Sequence, residues 1–199
     1  MFQYVPCDVA NCTKFKIYNS TTCALHLASK NEYVEHLQRT IAIQTSFASM
    51  VLRDLSFSDL DFSNKTFYLC DFSNSTFSNC TFTLATFRLC FFDGCNFLHC
   101  DGQNINIYNS VFANASFNQC RFTESNFILA NGNWISCRDS VFKESDLYNS
   151  RFLGATLEGV QFIDCNLLNT DFSNLQRKNS TFKNCNLQDA LGMEEKEPL

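Results

Sequence analysis

Three cysteines and one histidine lie close together near the start of this 199-residue chain. Their spacing is Cys7-x4-Cys12-x10-Cys23-x2-His26. Thiolate and imidazole groups arranged in two close pairs are the ligand set of a tetrahedral structural zinc site. A segment this short cannot form a hydrophobic core of its own, so a metal ion is expected to stabilise it. The sequence therefore predicts a zinc module over residues 1–30.

Four protein ligands fill a tetrahedral site, so we expect a structural zinc ion without chemistry at the metal. The segment Cys23-Ala24-Leu25-His26 resembles the closing half of small treble-clef or ribbon-like zinc modules, which often open with a Cys-x4-Cys pair. The alternative interpretation is three incidental thiols beside a surface histidine.

The rest of the chain offers no set of residues for catalysis. It contains neither a glycine-rich phosphate loop nor a nucleophile elbow. Two further histidines are present, His36 and His99. His99 precedes Cys100, but neighbouring side chains of an extended chain point to opposite sides. We expect a protein that is not an enzyme.

The elements that carry these residues follow a repeat of five. From Phe57 to Leu187 there are 27 consecutive positions spaced five apart, and Phe, Leu or Ile fills 23 of them. The exceptions are Gly102, Gly132, Cys137 and Arg177. Two residues before each of these positions, a small residue (Ala, Ser, Cys, Thr or Val) stands at 21 of the 27 places. Each unit therefore presents one large and one small side chain on the same face of an extended chain.

This period fits neither a continuous strand nor a helix. Residues five apart lie on opposite faces of a strand, and in a helix they are rotated by about 500°. The pattern buries one face only if the chain turns after every unit and coils. Coils stacked at the strand spacing of about 4.8 Å form a solenoid.

The unit resembles that of the pentapeptide-repeat family, which has a small residue, an Asp or Asn, a Leu or Phe, and two polar residues. Examples here are Cys70-Asp71-Phe72-Ser73-Asn74 and Cys165-Asn166-Leu167. The resemblance implies an all-β fold, a right-handed quadrilateral β-helix with four units in each coil. With 27 units, it implies about seven coils.

The sequence also predicts the boundaries of the other segments. A short helix over 31–44, capped by Asn31, is expected to turn Val34, Leu37 and Ile41 towards the open N-terminal end of the rod. The predicted segments are a zinc module (1–30), a capping helix and linker (31–48), the β-helix (49–190) and a disordered acidic tail (191–199).

Three positions deviate from the repeat, and each predicts a local structural feature. Lys65 occupies an inward small position and is expected to reach outward near a corner or to distort the coil. Near Gly102, Ile105 and Ile107 are expected to compensate for the missing large residue. Arg177 is expected to leave the rod in a small loop.

Nine of the twelve cysteines lie in the repeat region, and eight of these stand at the small inward position. They are expected to be buried thiols that substitute for Ala and Ser, with disulfides as the alternative. Met1–Cys12 lacks the basic start and apolar stretch of a signal peptide, and no apolar run is long enough to span a membrane. We expect a cytoplasmic protein that does not bind membranes.

A rigid rod with regularly spaced polar residues is typical of a scaffold that binds a protein partner. Trp134, the only tryptophan, points outward in the frame of the repeat and is a candidate contact, because exposed tryptophan is enriched in binding hot spots. The alternative is a local bulge that turns Trp134 inward to fill the gap left by Gly132 and Cys137.

The family resemblance implies a second function, since the family includes fluoroquinolone-resistance proteins that mimic DNA and bind DNA gyrase. Such mimicry needs a strip of carboxylates. Residues 54–189 carry 14 acidic and 9 basic side chains, a net charge of −5. The candidate carboxylates are Asp59, Asp61, Asp71, Asp93 and Asp101.

Other interpretations concern metal, nucleic acid and self-association. Zinc could regulate a partner, with the rod as a passive spacer, which would make the chain a zinc-dependent adaptor. A net charge of only about +2 over residues 1–53 argues against direct nucleic-acid binding. Family resemblance also implies a homodimer through the C-terminal coils that contain Phe172, Phe182 and Leu187.

Overall fold

The computed structural model describes residues 4–193. A short 3-10 helix (Ala24–His26) and the helix α1 (Lys30–Ile43) precede a series of three-residue strands. The expectation of a disordered tail from 191 was wrong at its first residue, because Leu191 still bridges to Asp171 in the ladder; the tail from residue 194 onward lies outside the described residues. The strands are β1 (Ser46–Ala48), β2 (Ser56–Ser58), β3 (Thr66–Tyr68), β4 (Thr76–Ser78), β5 (Thr86–Arg88), β6 (Asn96–Leu98), β7 (Asp101–Gln103), β8 (Asn106–Tyr108), β9 (Ser116–Asn118), β10 (Arg121–Thr123), β11 (Asn126–Ile128), β12 (Ser136–Arg138), β13 (Val141–Lys143), β14 (Thr156–Glu158), β15 (Gln161–Ile163), β16 (Gln176–Lys178) and β17 (Thr181–Lys183).

Each strand pairs in parallel with the strand that lies twenty residues away. In the pairing of β1 with β3, Phe47 lies beside Phe67, and β3 pairs with β5 in the same register. Twenty residues are four units of five, so every coil has four sides, as expected. The coils run from about residue 46 to residue 191, which is about seven turns.

The four sides form four walls along the rod. The first wall contains β1, β3, β5, β8 and β11; the third contains β2, β4, β6, β9, β12, β14 and β16; and the fourth contains β7, β10, β13, β15 and β17. The second wall is held by single bridges, beginning with Val51 beside Asp71 and Asp71 beside Phe91. All four walls bury the middle residue of each segment of three except at the C-terminal end, where Arg177 and Leu187 are exposed and Phe182 is half-buried.

The corners explain how the chain keeps its period. The residue that follows each segment has a positive φ, for example 61° at Asn74, 54° at Asn79 and 57° at Asn114. Asn and Asp tolerate this left-handed conformation better than most residues. The chain can therefore turn after every unit with few glycines.

Stacked phenylalanine rings fill the interior. Phe57, Phe77 and Phe97 form one stack, with successive ring centroids 5.1 and 4.9 Å apart. Burying one phenylalanine contributes about 1.5–3 kcal/mol relative to leaving it exposed. The hydrophobic core thus runs along the rod as a continuous column.

Where a large residue is missing, the small position is occupied by a larger side chain. A Cβ atom added at Gly102 would overlap the Ile105 side chain, and one added at Gly132 would meet Ile135 and Phe152. Both glycines lie in the regular ladder, and Gly102 belongs to strand β7. At both places the large position holds glycine and the small position of the following unit holds isoleucine, so large and small side chains are exchanged between neighbouring units, and the expected compensation by Ile105 is confirmed.

This exchange predicts a rescue between two substitutions. Gly102→Phe alone should destabilise the protein by about 1–3 kcal/mol, because the new ring must overlap Ile105. Adding Ile105→Ala should bring the stability back to within about 1.5 kcal/mol of the wild type, since it restores the usual large–small pair. Chemical denaturation of the single and double variants measures both values. Equal losses in the two variants would contradict the exchange.

Helix α1 closes the N-terminal end of the core with Leu37 and Ile41, both buried. Its N-cap is Ser29, whose hydroxyl accepts a hydrogen bond from the Glu32 N–H at 3.3 Å. The expectation that Asn31 caps the helix was wrong, because the helix begins one residue earlier, at Lys30.

Lys65 reaches out of the coil to the last turn of α1. Its ammonium donates to the Gln44 carbonyl at 2.9 Å and to the Ala42 carbonyl at 3.3 Å. A cation satisfies the unpaired carbonyls at a helix C-terminus and interacts well with the helix dipole. The coil is therefore not distorted, and Lys65 attaches the helix to the solenoid.

Arg177 does not form a loop, so that expectation was wrong. It is the middle residue of β16 and lies beside Leu157 in the regular ladder. Its side chain is exposed in the last strand that the structure describes on the third wall.

All twelve cysteines are free thiols, and within the repeat region only Cys185 is not fully buried. Burial raises the pKa of the Cys95 and Cys137 thiols to about 12, which keeps them protonated and unreactive. Among residues 4–193, neither helix has the length and apolar character needed to cross a membrane.

Candidate metal centre and partner surface

The four predicted zinc ligands converge in the structure. Their ligand atoms all lie within 4.8 Å of one another. Cys7 Sγ is 3.5 Å from His26 Nδ1, Cys23 Sγ is 3.4 Å from the same atom, and Cys12 Sγ is 3.8 Å from Cys23 Sγ. Cys7 and Cys23 are buried, whereas His26 is exposed.

Local backbone structure brings the two pairs together. Pro6 bridges to Phe15 in antiparallel fashion, and the Cys7 N–H donates to the Lys14 carbonyl at 2.9 Å. Asn11 turns the chain between them with a φ of 62°. The 3-10 helix then brings the His26 ring back onto the Cys23 sulfur. Residues 4–27, called here the N-terminal module, thus fold around the cluster.

The distances fit a tetrahedral ion. With metal–sulfur bonds of about 2.3 Å and metal–nitrogen bonds of about 2.1 Å, the tetrahedron edges are about 3.8 Å between sulfurs and about 3.6 Å between sulfur and nitrogen. The observed separations of 3.4, 3.5 and 3.8 Å lie close to these edges. The Cys3His cluster can therefore hold a metal ion.

Backbone N–H groups also donate hydrogen bonds to two of the cysteine sulfurs. The Cys23 N–H donates to Cys7 Sγ at 3.3 Å, and the Lys14 N–H donates to Cys12 Sγ at 3.4 Å. Desolvation opposes ionisation of Cys7, but hydrogen bonds from the backbone of Val9 and Cys23 lower its pKa to about 6. A thiolate is the form that binds a metal.

The N-terminal module is attached to the second wall of the solenoid. The Tyr18 N–H donates to the Val51 carbonyl at 2.7 Å, and the Tyr4 hydroxyl donates to Asp71 Oδ2 at 2.9 Å. Arg53 forms an ion pair with Asp71 at 3.3 Å. Burial, followed by the hydrogen bond to Asp71, raises the pKa of Tyr4 to about 12.

Asp71 is therefore not a surface carboxylate, and the expectation that it contacts a partner was wrong. It is fully buried and also accepts hydrogen bonds from the Ser73 N–H and hydroxyl at 3.0 and 2.6 Å. Such a carboxylate is fully satisfied inside the protein.

The other predicted carboxylates do not form one strip. Asp59, Asp61 and Asp101 are exposed along the edge between the third and fourth walls, whereas Asp93 is half-buried on the second wall. On the fourth wall, Thr81 lies between Asp61 and Asp101 and donates its hydroxyl to Asp61 at 2.8 Å. The acidic surface is thus interrupted.

Trp134 points outward, and 58% of it is exposed. It occupies a corner with a φ of 62°, a conformation in which a bulky side chain is rare. A Cβ atom added at Gly154, at the same corner of the next coil, would overlap the indole ring. The indole therefore lies directly on the Gly154 backbone, and no bulge turns it inward.

This contact predicts a specific effect of Gly154→Ala. The new methyl group must displace the indole, and the residue keeps a positive φ of 68°, so we expect a loss of about 1–2 kcal/mol and a changed Trp134 emission maximum. Gly94→Ala is the matched control at the same corner, where φ is 64° and the nearest atom is Asn74 Oδ1 at 2.8 Å. It should cost stability without changing the fluorescence. A shifted emission in Gly94→Ala would contradict the prediction.

Sequence reasoning missed the residues that join the module to the rod. Tyr4 and Arg53 are single residues in no recognisable pattern, so no signal pointed to them. Asp71 carried a signal that was misread, since the repeat places Asp at an outward position regardless of what covers that wall.

Comparison with known proteins supports the repeat architecture. Residues 112–191 match a family model described as "Pentapeptide repeat region". A trypsin-treated variant of QnrB1, a plasmid-mediated fluoroquinolone resistance protein, superposes with a TM-score of 0.68 at 21% identity, covering 73% of each chain. A second trypsin-treated QnrB1 variant gives 0.58 at 20% identity, covering 73% of this chain and 75% of that one.

At these identities the likeness concerns the fold alone, and it confirms the quadrilateral β-helix expected from the sequence. The comparison with curated proteins gave no match.

Proposed function

We propose that this chain, a pentapeptide-repeat protein, is a non-enzymatic scaffold that binds a protein partner along the surface of its rod. Its coils are held by a continuous ladder of backbone hydrogen bonds, so the outward side chains keep fixed spacings. Solenoids of this kind offer extended binding surfaces.

The observation that carries this proposal is the placement of Trp134. Every other residue at its corner, from Asp54 to Asn174, is an Asp, Asn or Gly, which suit a positive φ. Leucines such as Leu69 and Leu129 adopt the same positive φ at another corner, but at this corner Trp134 is the one bulky side chain, and unfavourable conformations are commonly retained at functional positions. An exposed, immobilised indole is a typical anchor of a protein interface.

Affinity capture with variants tests this proposal. Trp134→Ala should weaken binding of the partner by at least about tenfold, the effect expected for loss of a hot spot of 2 kcal/mol or more. Asn114→Ala, at the same corner one coil earlier, is the matched control and should retain the partner. If Trp134→Ala and Asn114→Ala capture the same proteins to the same extent, no partner depends on Trp134 and the proposal is contradicted.

We also infer that the Cys3His cluster binds one structural zinc ion. The four side chains supply soft and borderline ligands at tetrahedral separations, and no fifth group is needed. The ion would hold the N-terminal module against the second wall through Tyr4 and Tyr18. Zinc could then regulate a partner that touches both parts, as in the adaptor interpretation.

DNA mimicry directed at gyrase is the second candidate. The observation in its favour is the exposed group Asp59, Asp61 and Asp101 along one edge of the rod. A supercoiling assay with added protein tests it, and inhibition or protection should be lost when the three residues are changed to Asn. If micromolar concentrations of the protein have no effect on supercoiling, this candidate is excluded.

Pairing of two copies through the C-terminal end is a further part of the proposal. Phe172 is buried, but Phe182 is only half-buried and 36% of Leu187 is exposed. This open end of the described core would be covered in a dimer. A monomeric mass by light scattering at high concentration would remove the idea.

A further inference from the structure

We propose that the first wall of the rod is a docking site for one amphipathic α-helix of a partner protein. The inference rests on the proposed scaffold function and identifies a surface and a class of ligand for it. The outward side chains near one corner of this wall form a column, with one residue from each coil. This aromatic stripe is Tyr68, Arg88, Tyr108, Ile128, Tyr148 and Leu168.

The composition of the aromatic stripe differs from that of the equivalent column on the opposite wall. The tyrosines Tyr68, Tyr108 and Tyr148 are 45%, 38% and 37% exposed, and no carboxylate occurs in the stripe. The column opposite contains Arg138 and Glu158, which form an ion pair at 3.0 Å. The first and third walls are both parallel ladders of three-residue strands, so folding alone does not require an apolar column on the first wall.

The corner next to the aromatic stripe extends the apolar surface. Leu69 and Leu89 are half-buried there and Leu129 is 37% exposed. Tyrosine and arginine are enriched at protein interfaces, and charged residues are depleted from their centres. An exposed patch of this composition marks a binding surface.

The orientation of the rings argues against a flat ligand such as a sugar or a base. Arg88 lies over the Tyr108 ring, with its Cζ atom 5.6 Å from the ring centroid. Arg88 belongs to the preceding coil, so the face of this ring is turned along the rod. A platform for stacking would need the ring faces to lie flat on the wall.

The spacing of the coils favours a helix over an extended segment. Successive residues of the stripe are about 4.8 Å apart. A helix presents one apolar group per turn, about every 5.4 Å, so the side chains of a helix lying along the rod drift from the gaps between stripe residues by only about 0.6 Å per coil. An extended strand repeats on one face about every 6.6 Å and loses this match within two coils.

Backbone hydrogen bonding also argues against an added strand. The N–H and C=O groups of the first wall are already paired along the rod, for example Thr66 N–H with the Thr45 carbonyl at 2.8 Å and Thr86 N–H with the Lys65 carbonyl at 2.8 Å. Strand addition needs an unpaired sheet edge, and this wall offers only its outward side chains.

The size of the site fits one helix and not a second rod. Five coil spacings give a length of about 24 Å, which a helix of about 16 residues spans. The wall is about 10 Å wide, so it offers about 240 Å². This is too little for a stable interface of roughly 800 Å² per partner, so the helix is expected to bind weakly and transiently. The single cation of the stripe, Arg88, calls for a carboxylate on the apolar face of the helix, near one end.

A synthetic peptide tests the proposal. The probe is an 18-residue blocked helix with leucines along one face and one glutamate at the end of that face, labelled for fluorescence anisotropy. We expect binding that Tyr108→Ser weakens at least tenfold. Leu98→Ser is the matched control on the opposite wall and should leave the affinity within twofold. No binding to the wild type, or equal losses in the two variants, would overturn the proposal.

A charge exchange tests the register and direction of the helix. Arg88→Glu should weaken binding of the glutamate peptide and strengthen binding of a peptide that carries lysine at the same position. A peptide in which one central residue is replaced by proline cannot form a continuous helix. If it binds as well as the original peptide, the ligand is extended. A dimer that Tyr108→Ser dissociates would indicate a second copy of the chain. Either result overturns the helix proposal.

The peptide experiments and the Trp134 capture experiment can fail independently of each other. Trp134 lies at the corner between the second and third walls, away from the aromatic stripe. Loss of peptide binding with intact Trp134-dependent capture would remove the helix site and leave the scaffold. Loss of the capture alone would leave the stripe as the binding surface.

Discussion

Cys23→Ser is expected to release zinc from the chain and to unfold residues 4–27, while the solenoid stays folded. Cys23 Sγ lies beside both Cys12 Sγ and His26 Nδ1, so its loss opens the tetrahedron on two edges. Structural zinc sites in small modules contribute about 10–16 kcal/mol to folding. Even the loss of a residue that only hydrogen-bonds to a metal ligand typically costs about 10–100-fold in metal affinity, so the loss of a ligand should cost more.

Elemental analysis and hydrogen exchange together measure this result. The wild type should carry one zinc ion per chain and Cys23→Ser should carry none. Amide protection should fall in residues 4–27 and persist from Thr76 to Leu168, because each coil of a solenoid depends mainly on its neighbours. Cys70→Ser is the matched control, because serine already fills the equivalent inward position at Ser110. Zinc loss in that control as well would contradict the assignment.

Phe77→Ala is expected to cause the largest loss of stability within the rod, about 3–5 kcal/mol. The ring is 1% exposed, lies between Phe57 and Phe97 in one stack, and meets Phe72 edge-on at 5.7 Å. Removing it leaves a cavity between coils that a rigid ladder cannot close. Thermal denaturation should show a midpoint lower by about 6–20 °C for a domain of this size.

Phe182→Ala is the control for this prediction. Phe182 stacks on Phe162 at 4.8 Å but belongs to the last described coil and is only half-buried. Its removal creates no enclosed cavity, so we expect less than half the loss seen in Phe77→Ala. Equal losses would show that stability does not depend on the continuity of the aromatic column.

Much of the fold could be predicted from the sequence because one physical constraint repeats along the chain. The period of five fixes which residues face inward, and the same frame correctly placed Trp134 outward. Arg177 was misjudged because its exposed inward position was attributed to a loop. Backbone ladder hydrogen bonds hold the coil at this position even though no further described coil covers it.

The sites were less predictable because they depend on contacts between distant segments. The convergence of Cys7 and His26 could be predicted from ligand spacing. The burial of Asp71 could not, since it results from Tyr4 and the N-terminal module packing on the second wall. The aromatic stripe was missed because its residues are twenty apart, so it appears only when the sequence is arranged by the four units per coil that the family resemblance implies.

The register of twenty residues constrains how such a chain can change in length. An insertion of one complete coil would move everything beyond it along the rod without rotation, so the column from Tyr68 to Leu168 would remain straight. An insertion of a single unit of five would turn the downstream part by a quarter of a revolution. The tyrosines on either side of it would then face perpendicular directions, so insertions of whole coils keep the column aligned and insertions of single units break it.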